Sequence, residues 1–247
     1  MSDAHTTTTR TDNHPNPLGR PAIEHGLSDA EKSVISQIAD SDSWVGRVDA
    51  TAIAIQNRAR ELCLELDRVS PADATERNRI LGELLPPDSH LPVVMPPFRC
   101  DYGFNIHFGG FAFLNYGVTI LDTSPIRIGQ GTFIAPGVTI SAAGHALDPA
   151  QRAQAISTSE AIAIGSNVWI GANATICAGV TIGDDSVIGA GAVVTDNVPD
   201  HALMLGVPAR RCGWACECGE LLKNGLNCPK CGRKYREGEN GLTEVKD

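Results

Sequence analysis

Five of the eight cysteines fall between Cys212 and Cys231, and four of these form two short knuckles, Cys216-Glu-Cys218-Gly and Cys228-Pro-Lys-Cys231-Gly. A glycine after each pair frees the backbone N–H groups to turn toward thiolate sulfurs. Four thiolates suit a tetrahedral zinc ion, and so short a segment would draw much of its folding energy from the metal. A pair of redox disulfides is the alternative, and Cys212 replaces Cys216 if the first knuckle is read differently. Cys63, Cys100 and Cys177 are scattered and read as small buried apolar residues. The other residue that could do chemistry is His145, in Ala143-Gly-His-Ala-Leu-Asp-Pro149. An imidazole titrates near neutral pH and is the natural acceptor of a hydroxyl proton. Gly144 before it leaves room for close approach.

These groups need a frame, and the centre of the chain provides one with a period of six. Ile164, Ile170, Ile176, Ile182, Ile188 and Val194 are all branched aliphatics, with Ile128, Ile134 and Ile140 as an earlier run. A six-residue repeat is neither helical nor a simple strand. It is the signature of a parallel β-helix, with each hexapeptide giving one short strand and one corner. The aliphatics are lost between Ala146 and Ala161, so that polar segment should leave the prism as a loop.

Before the repeat, residues 27–90 read as a helical cap. Ser28 with Glu31 offers a capping box, a second helix spans about Asp49–Leu66 with Ile53, Ala54, Leu62 and Leu66 in helical spacing, and a third runs from about Ala72 to Leu85. Residues 1–26 hold almost no large apolar side chain and read as a flexible arm. The remaining divisions are the β-helix at 91–208, a zinc ribbon at 209–237 and a flexible tail at 238–247. The class is mainly β. The 247 residues carry a net charge of −9, which argues against nucleic acid as a partner. No stretch approaches the roughly 20 apolar residues of a membrane span, and the N-terminus has no signal-peptide core, so a cytoplasmic location is expected.

The repeat and its flanks resemble the hexapeptide-repeat acyltransferases, and within them the maltose and galactoside O-acetyltransferases. The likeness covers about residues 27–211. It is carried by Pro96-Pro-Phe-Arg-Cys-Asp-Tyr-Gly-Phe-Asn-Ile-His107, Asn115-Tyr-Gly-Val-Thr-Ile-Leu-Asp122, the His145 frame, Ile164-Gly-Ser-Asn-Val-Trp-Ile-Gly171 and Gly206-Val-Pro-Ala-Arg210. The resemblance implies a left-handed β-helix, a homotrimer, acetyl-CoA as donor and a hydroxyl of a sugar or glycoconjugate as acceptor. It implies direct transfer with His145 as general base, and backbone N–H groups at the oxyanion. Asn115, Asp101 and Asp122 match acceptor-side positions. Ala172, Ala190, Thr195 and Arg210 match contacts to acetyl-CoA, and Trp169 lies near the site.

The chain also departs from that family. An acidic residue that the family's helical region supplies to the acceptor has no clean equivalent, with Asp42 and Asp49 as candidates. Asp196 stands where a lysine is common. The cysteine-rich tail is an addition. From Arg210 to Arg236 the chain holds seven basic residues against two acidic ones, so the ribbon could set Arg211, Lys230 or Lys234 over the donor's phosphates. An acyltransferase with a non-sugar acceptor and a non-catalytic trimeric scaffold with zinc-ribbon partner modules are the competing readings. The γ-class carbonic anhydrases share the architecture but need clustered histidines, whereas His107 and His145 are far apart in sequence.

Overall fold

The computed structural model describes residues 41–47, 50–222 and 225–245. The expected flexible arm, the helix starting at Ser28 and the candidate Asp49 lie outside the described residues. Strand β1 (Ser43–Arg47) precedes helix α1 (Ala50–Leu66) and helix α2 (Ala74–Leu84). The strand corrects the reading of 27–90 as wholly helical. The exposure of Ser-Trp-Val-Gly-Arg alternates along the strand, and it finds a distant edge to pair with. Helix α1 buries Ala52, Ile55, Ala59, Leu62, Cys63 and Leu66, a stripe at helical spacing. Ile53 and Ala54 face outward, so the inward face is offset from the one expected. Helix α2 starts where Asp73 accepts the backbone N–H of Glu76 at 3.0 Å.

The centre is the expected left-handed parallel β-helix of about 6 turns. Its three faces are parallel ladders of short rungs. The Trp169 face stacks Val94, Leu114, Ile134, Ile170, Ile188 and Met204 inward. The Thr139 face stacks Cys100, Ile120, Ile140, Ile176 and Val194, and the Arg127 face stacks Phe108, Ile128, Ile164 and Ile182. The core is thus made of identical small contacts repeated along an axis. Corners use left-handed backbone, as at Asn167 and Asn173 with φ of 56° and 57°. Coils approach closely there: a Cβ on Gly171 would lie 2.6 Å from the Ala190 nitrogen.

The polar segment after Ala142 leaves the prism, but as an ordered hairpin. Strand β2 (Ala143–His145), helix α3 (Pro149–Ala153) and strand β3 (Ile156–Glu160) form it. Strand β1 pairs antiparallel with β3 from Ser43↔Glu160 to Arg47↔Ile156, giving a three-stranded sheet in the order β1-β3-β2.

At the far end, strand β4 (Ala202–Leu205), strand β5 (Arg210–Ala215) and strand β6 (Leu221–Leu222) extend the Trp169 face. Trp214, Leu222, Tyr235 and Leu242 join the same hydrophobic core as the prism. Residues 238–247 were expected as a flexible tail. Strands β7 (Tyr235–Gly238) and β8 (Gly241–Glu244) instead form a hairpin, tied to the last coil by the Asp200 N–H on the Asn240 carbonyl at 2.9 Å. Among the described residues no helix is long and apolar enough to cross a membrane.

Candidate active site and metal centre

His145 ends β2. It stands opposite Ser157 of β3, which stands opposite Gly46 of β1, so Gly46, Ser157 and His145 form one row on one face of the small sheet. The imidazole is exposed, with Nδ1 3.5 Å from Ser157 Oγ, the outer limit of a hydrogen bond. A Cβ on Gly144 would lie 2.7 Å from Thr158 Oγ1. A side chain at 144 would thus displace the Thr158 hydroxyl, a packing reason for the glycine beside that of ligand access.

The remaining expected residues sort onto two edges of the prism. Asp101, Asp122, the His145 hairpin and Thr195 each follow a rung of the Thr139 face. Asn115, Ala172 and Ala190 each follow a rung of the Trp169 face, and so line the other edge of the Thr139 face. Ala172 and Ala190 are on adjacent coils, with the Gly191 N–H on the Ala172 carbonyl at 2.8 Å. Asn115 Oδ1 accepts the Tyr116 N–H at 2.8 Å, a turn role.

Asp101 is partly buried, and burial raises its carboxyl above the usual carboxylate range while the Arg60 guanidinium opposes the rise. Asp122 corrects the expectation of acceptor contact, because its side chain is closed to solvent in the prism. Its carboxylate instead accepts the backbone N–H groups of Asp101 at 3.0 Å, Tyr102 at 2.8 Å and Asn105 at 3.3 Å. Burial raises its pKa to about 7, against the lowering effect of the Tyr102 N–H. It shapes the loop that carries Asp101 rather than meeting a ligand. Asp42 pairs with Arg127 at 3.4 Å on the outside of the prism.

Thr195, Asp196 and Arg210 meet. Thr195 Oγ1 and Arg210 Nη1 each donate to Asp196 Oδ2 at 3.1 Å. The aspartate thus holds together, at the surface, the two residues expected at the donor. Arg211 is also engaged, 2.8 Å from Glu237 and stacked 4.0 Å over the Trp214 ring. That corrects its expected place over those phosphates: its anion, Glu237, is the last residue of the segment read as the ribbon. Trp169 is exposed on its face, in register with Phe133 and Val187.

The Sγ atoms of Cys216, Cys218, Cys228 and Cys231 all lie within 4.8 Å of one another. The Cys216–Cys231 and Cys218–Cys228 separations are 3.6 and 3.5 Å. A tetrahedron with Zn–S bonds of about 2.3 Å has edges near 3.8 Å, whereas a disulfide needs about 2.05 Å. The four sulfurs fit a single tetrahedral ion. The Arg233 N–H lowers the Cys231 thiol to about 6, as a knuckle should. Cys212 donates its S–H to the Arg210 carbonyl at 3.4 Å and stays outside the cluster, which removes it as a ligand. The sequence did not single out Tyr235, whose hydroxyl lies 3.2 Å from Cys216 Sγ and accepts the Glu217 N–H. Nor did it single out Trp44, Gly46, Thr123, Ser157 or Ser159 around the His145 hairpin.

The family model for the bacterial transferase hexapeptide (six repeats) matches residues 162–196. The galactoside O-acetyltransferase of Escherichia coli K12 is 39% identical over 153 residues, which is 62% of this chain and 75% of that protein. The crystal structure of a maltose O-acetyltransferase from Clostridium difficile 630 superposes with a TM-score of 0.69 at 32% identity, covering 76% of this chain and 97% of that one. A hexapeptide-repeat acetyltransferase from Vibrio cholerae, complexed with acetyl coenzyme A, superposes with a TM-score of 0.61 at 37% identity, covering 65% and 87%.

Proposed function

The chain belongs to the hexapeptide-repeat acetyltransferases that include the galactoside and maltose O-acetyltransferases, and from that membership we propose that it moves an acetyl group from acetyl-CoA to a hydroxyl of a sugar or glycoconjugate. His145 is the general base. The observation that carries this reading is an exposed imidazole held at the end of a paired strand, where a scaffold has no use for it. His145 takes the hydroxyl proton as the oxygen attacks the thioester carbonyl. The tetrahedral intermediate collapses with coenzyme A leaving as the thiol, and no acyl-enzyme forms. Backbone N–H groups serve the oxyanion. Asp101 and the Asn115 amide face the acceptor. Ala172 and Ala190 let the pantetheine arm lie against backbone, with Thr195 and Arg210 toward the nucleotide.

A single prism keeps His145 and the Ala172–Ala190 column on different edges. A complete site therefore needs two copies, which supports a homotrimer. The Trp169 face fits that role. Val93, Phe113, Phe133, Trp169, Val187 and Leu203 point outward in one continuous register. The other faces present Thr119, Thr139 and Thr175, or His107, Arg127 and Thr181. An apolar ladder of that length on one face alone marks an association surface. Zinc held by Cys216, Cys218, Cys228 and Cys231 acts as a structural clamp on the end of the prism and supplies no chemistry to the transfer.

The test is acetyl-CoA with a panel of glycosides and of non-sugar alcohols, followed by free-thiol release and product analysis. Acetylated glycoside with stoichiometric thiol is the expected result. Turnover of non-sugar alcohols alone overturns the sugar assignment, and thiol release that no acceptor stimulates overturns the transferase mechanism.

A further inference from the structure

A one-way chain of hydrogen bonds runs from β1 through the prism to the strand that carries His145. The Trp44 indole N–H donates to the Thr123 carbonyl at 2.7 Å. Thr123 Oγ1 and Ser159 Oγ are 2.7 Å apart, and Ser159 Oγ donates to the Ala142 carbonyl at 3.1 Å. A carbonyl only accepts, so Ser159 spends its proton on Ala142 and Thr123 must donate to Ser159. The direction of every link is fixed. Thr123 and Ser159 are 7% and 2% exposed, so water does not compete for these bonds. Ala142 is the residue from which β2 departs, and its carbonyl also accepts the Glu160 N–H at 3.1 Å. At the other end the Trp44 ring covers Gly46, where a Cβ would meet it at 3.4 Å, and Gly46 begins the row that ends in His145. Trp44, Ser159 and Ala143 form the adjacent row on the same face.

We propose that Trp44, Thr123 and Ser159 are positioning residues for His145, a buried relay that fixes the His145 strand against the prism. The assignment rests on the reading of His145 as the base. It gives β1 a function: the hairpin leaves the repeat and has no prism rung to stack on, so its orientation depends on the relay and on the β1 edge. A base must sit within a fraction of an ångström of its productive place, and a swinging strand loses that.

The experiment uses the full chain and isosteric changes. Thr123→Val removes the hydroxyl and keeps the shape, Thr123→Ser keeps the hydroxyl, and Trp44→Phe keeps a ring over Gly46 without the N–H. Thr123→Val and Trp44→Phe should each lower kcat about tenfold with the KM for acetyl-CoA within about twofold, and their combination should cost less than the product of the two. Thr123→Ser should restore the rate to within about twofold. Amide exchange should quicken at 142–147 and 156–160 but not at 164–194. Wild-type kcat and exchange in Thr123→Val, or equal impairment of Thr123→Ser, overturns the proposal. His145→Ala, measured alongside, separates the two claims: a wild-type rate there fails the base reading itself, whereas a large loss there with silent relay variants fails only the relay.

Discussion

The Asp122 carboxylate accepts the Tyr102 backbone N–H at 2.8 Å in a corner sealed from solvent. The same carboxylate accepts the Asp101 N–H, so a buried acid sets the backbone of the partly buried acid beside it. Its pKa is raised to about 7 in the native chain, against about 3.9 in an unfolded one. Between those values the unfolded chain has released the proton and the native chain has kept it. Stability from this group therefore falls as pH rises through that window. Asp122→Asn lacks the slope. The melting-temperature advantage of wild type over Asp122→Asn should narrow between pH 5 and pH 8 by at least about 3 °C, given roughly 2–4 °C per kcal/mol. Parallel melting curves across that range contradict it.

The six-residue period made the prism readable, because each inward aliphatic is announced by its own hexapeptide. Asp122 was misjudged because its burial comes from the coils above and below, not from its neighbours in sequence. The β1–β3 pairing joins residues 43–47 to 156–160, and five residues without a polar-apolar alternation do not announce so distant an edge. Gly144 read as access for a ligand, and its contact with the Thr158 hydroxyl across the strand pair was not legible in the sequence. The knuckle sulfurs were readable from spacing alone. Their Tyr235 support was not, because it lies 19 residues beyond Cys216 and no spacing ties its hydroxyl to that sulfur.

The cysteine cluster predicts one zinc per chain. Cys228→Ser should abolish bound metal in elemental analysis and lower the melting temperature, whereas Cys212→Ser should keep both. A chelator should also shift the emission of Trp214, which the ribbon and prism bury together. Metal-free protein with unchanged stability would remove the clamp.

Phe133 stands at the middle of the apolar ladder, its ring 5.9 Å from those of Phe111 and Phe113. Phe133→Glu should give a folded monomer in light scattering, because a charge in that face must be desolvated on association. The monomer should be inactive if, as proposed, each site draws on two prisms. A monomeric variant that retains turnover contradicts the shared site.

The most direct measurement is the single-turnover and steady-state rate of His145→Ala with acetyl-CoA and an accepted glycoside. The account predicts a folded trimer whose kcat falls by roughly 10²–10⁴, the usual contribution of a general base, with the KM for acetyl-CoA little changed. A His145→Ala enzyme with near wild-type kcat would contradict it.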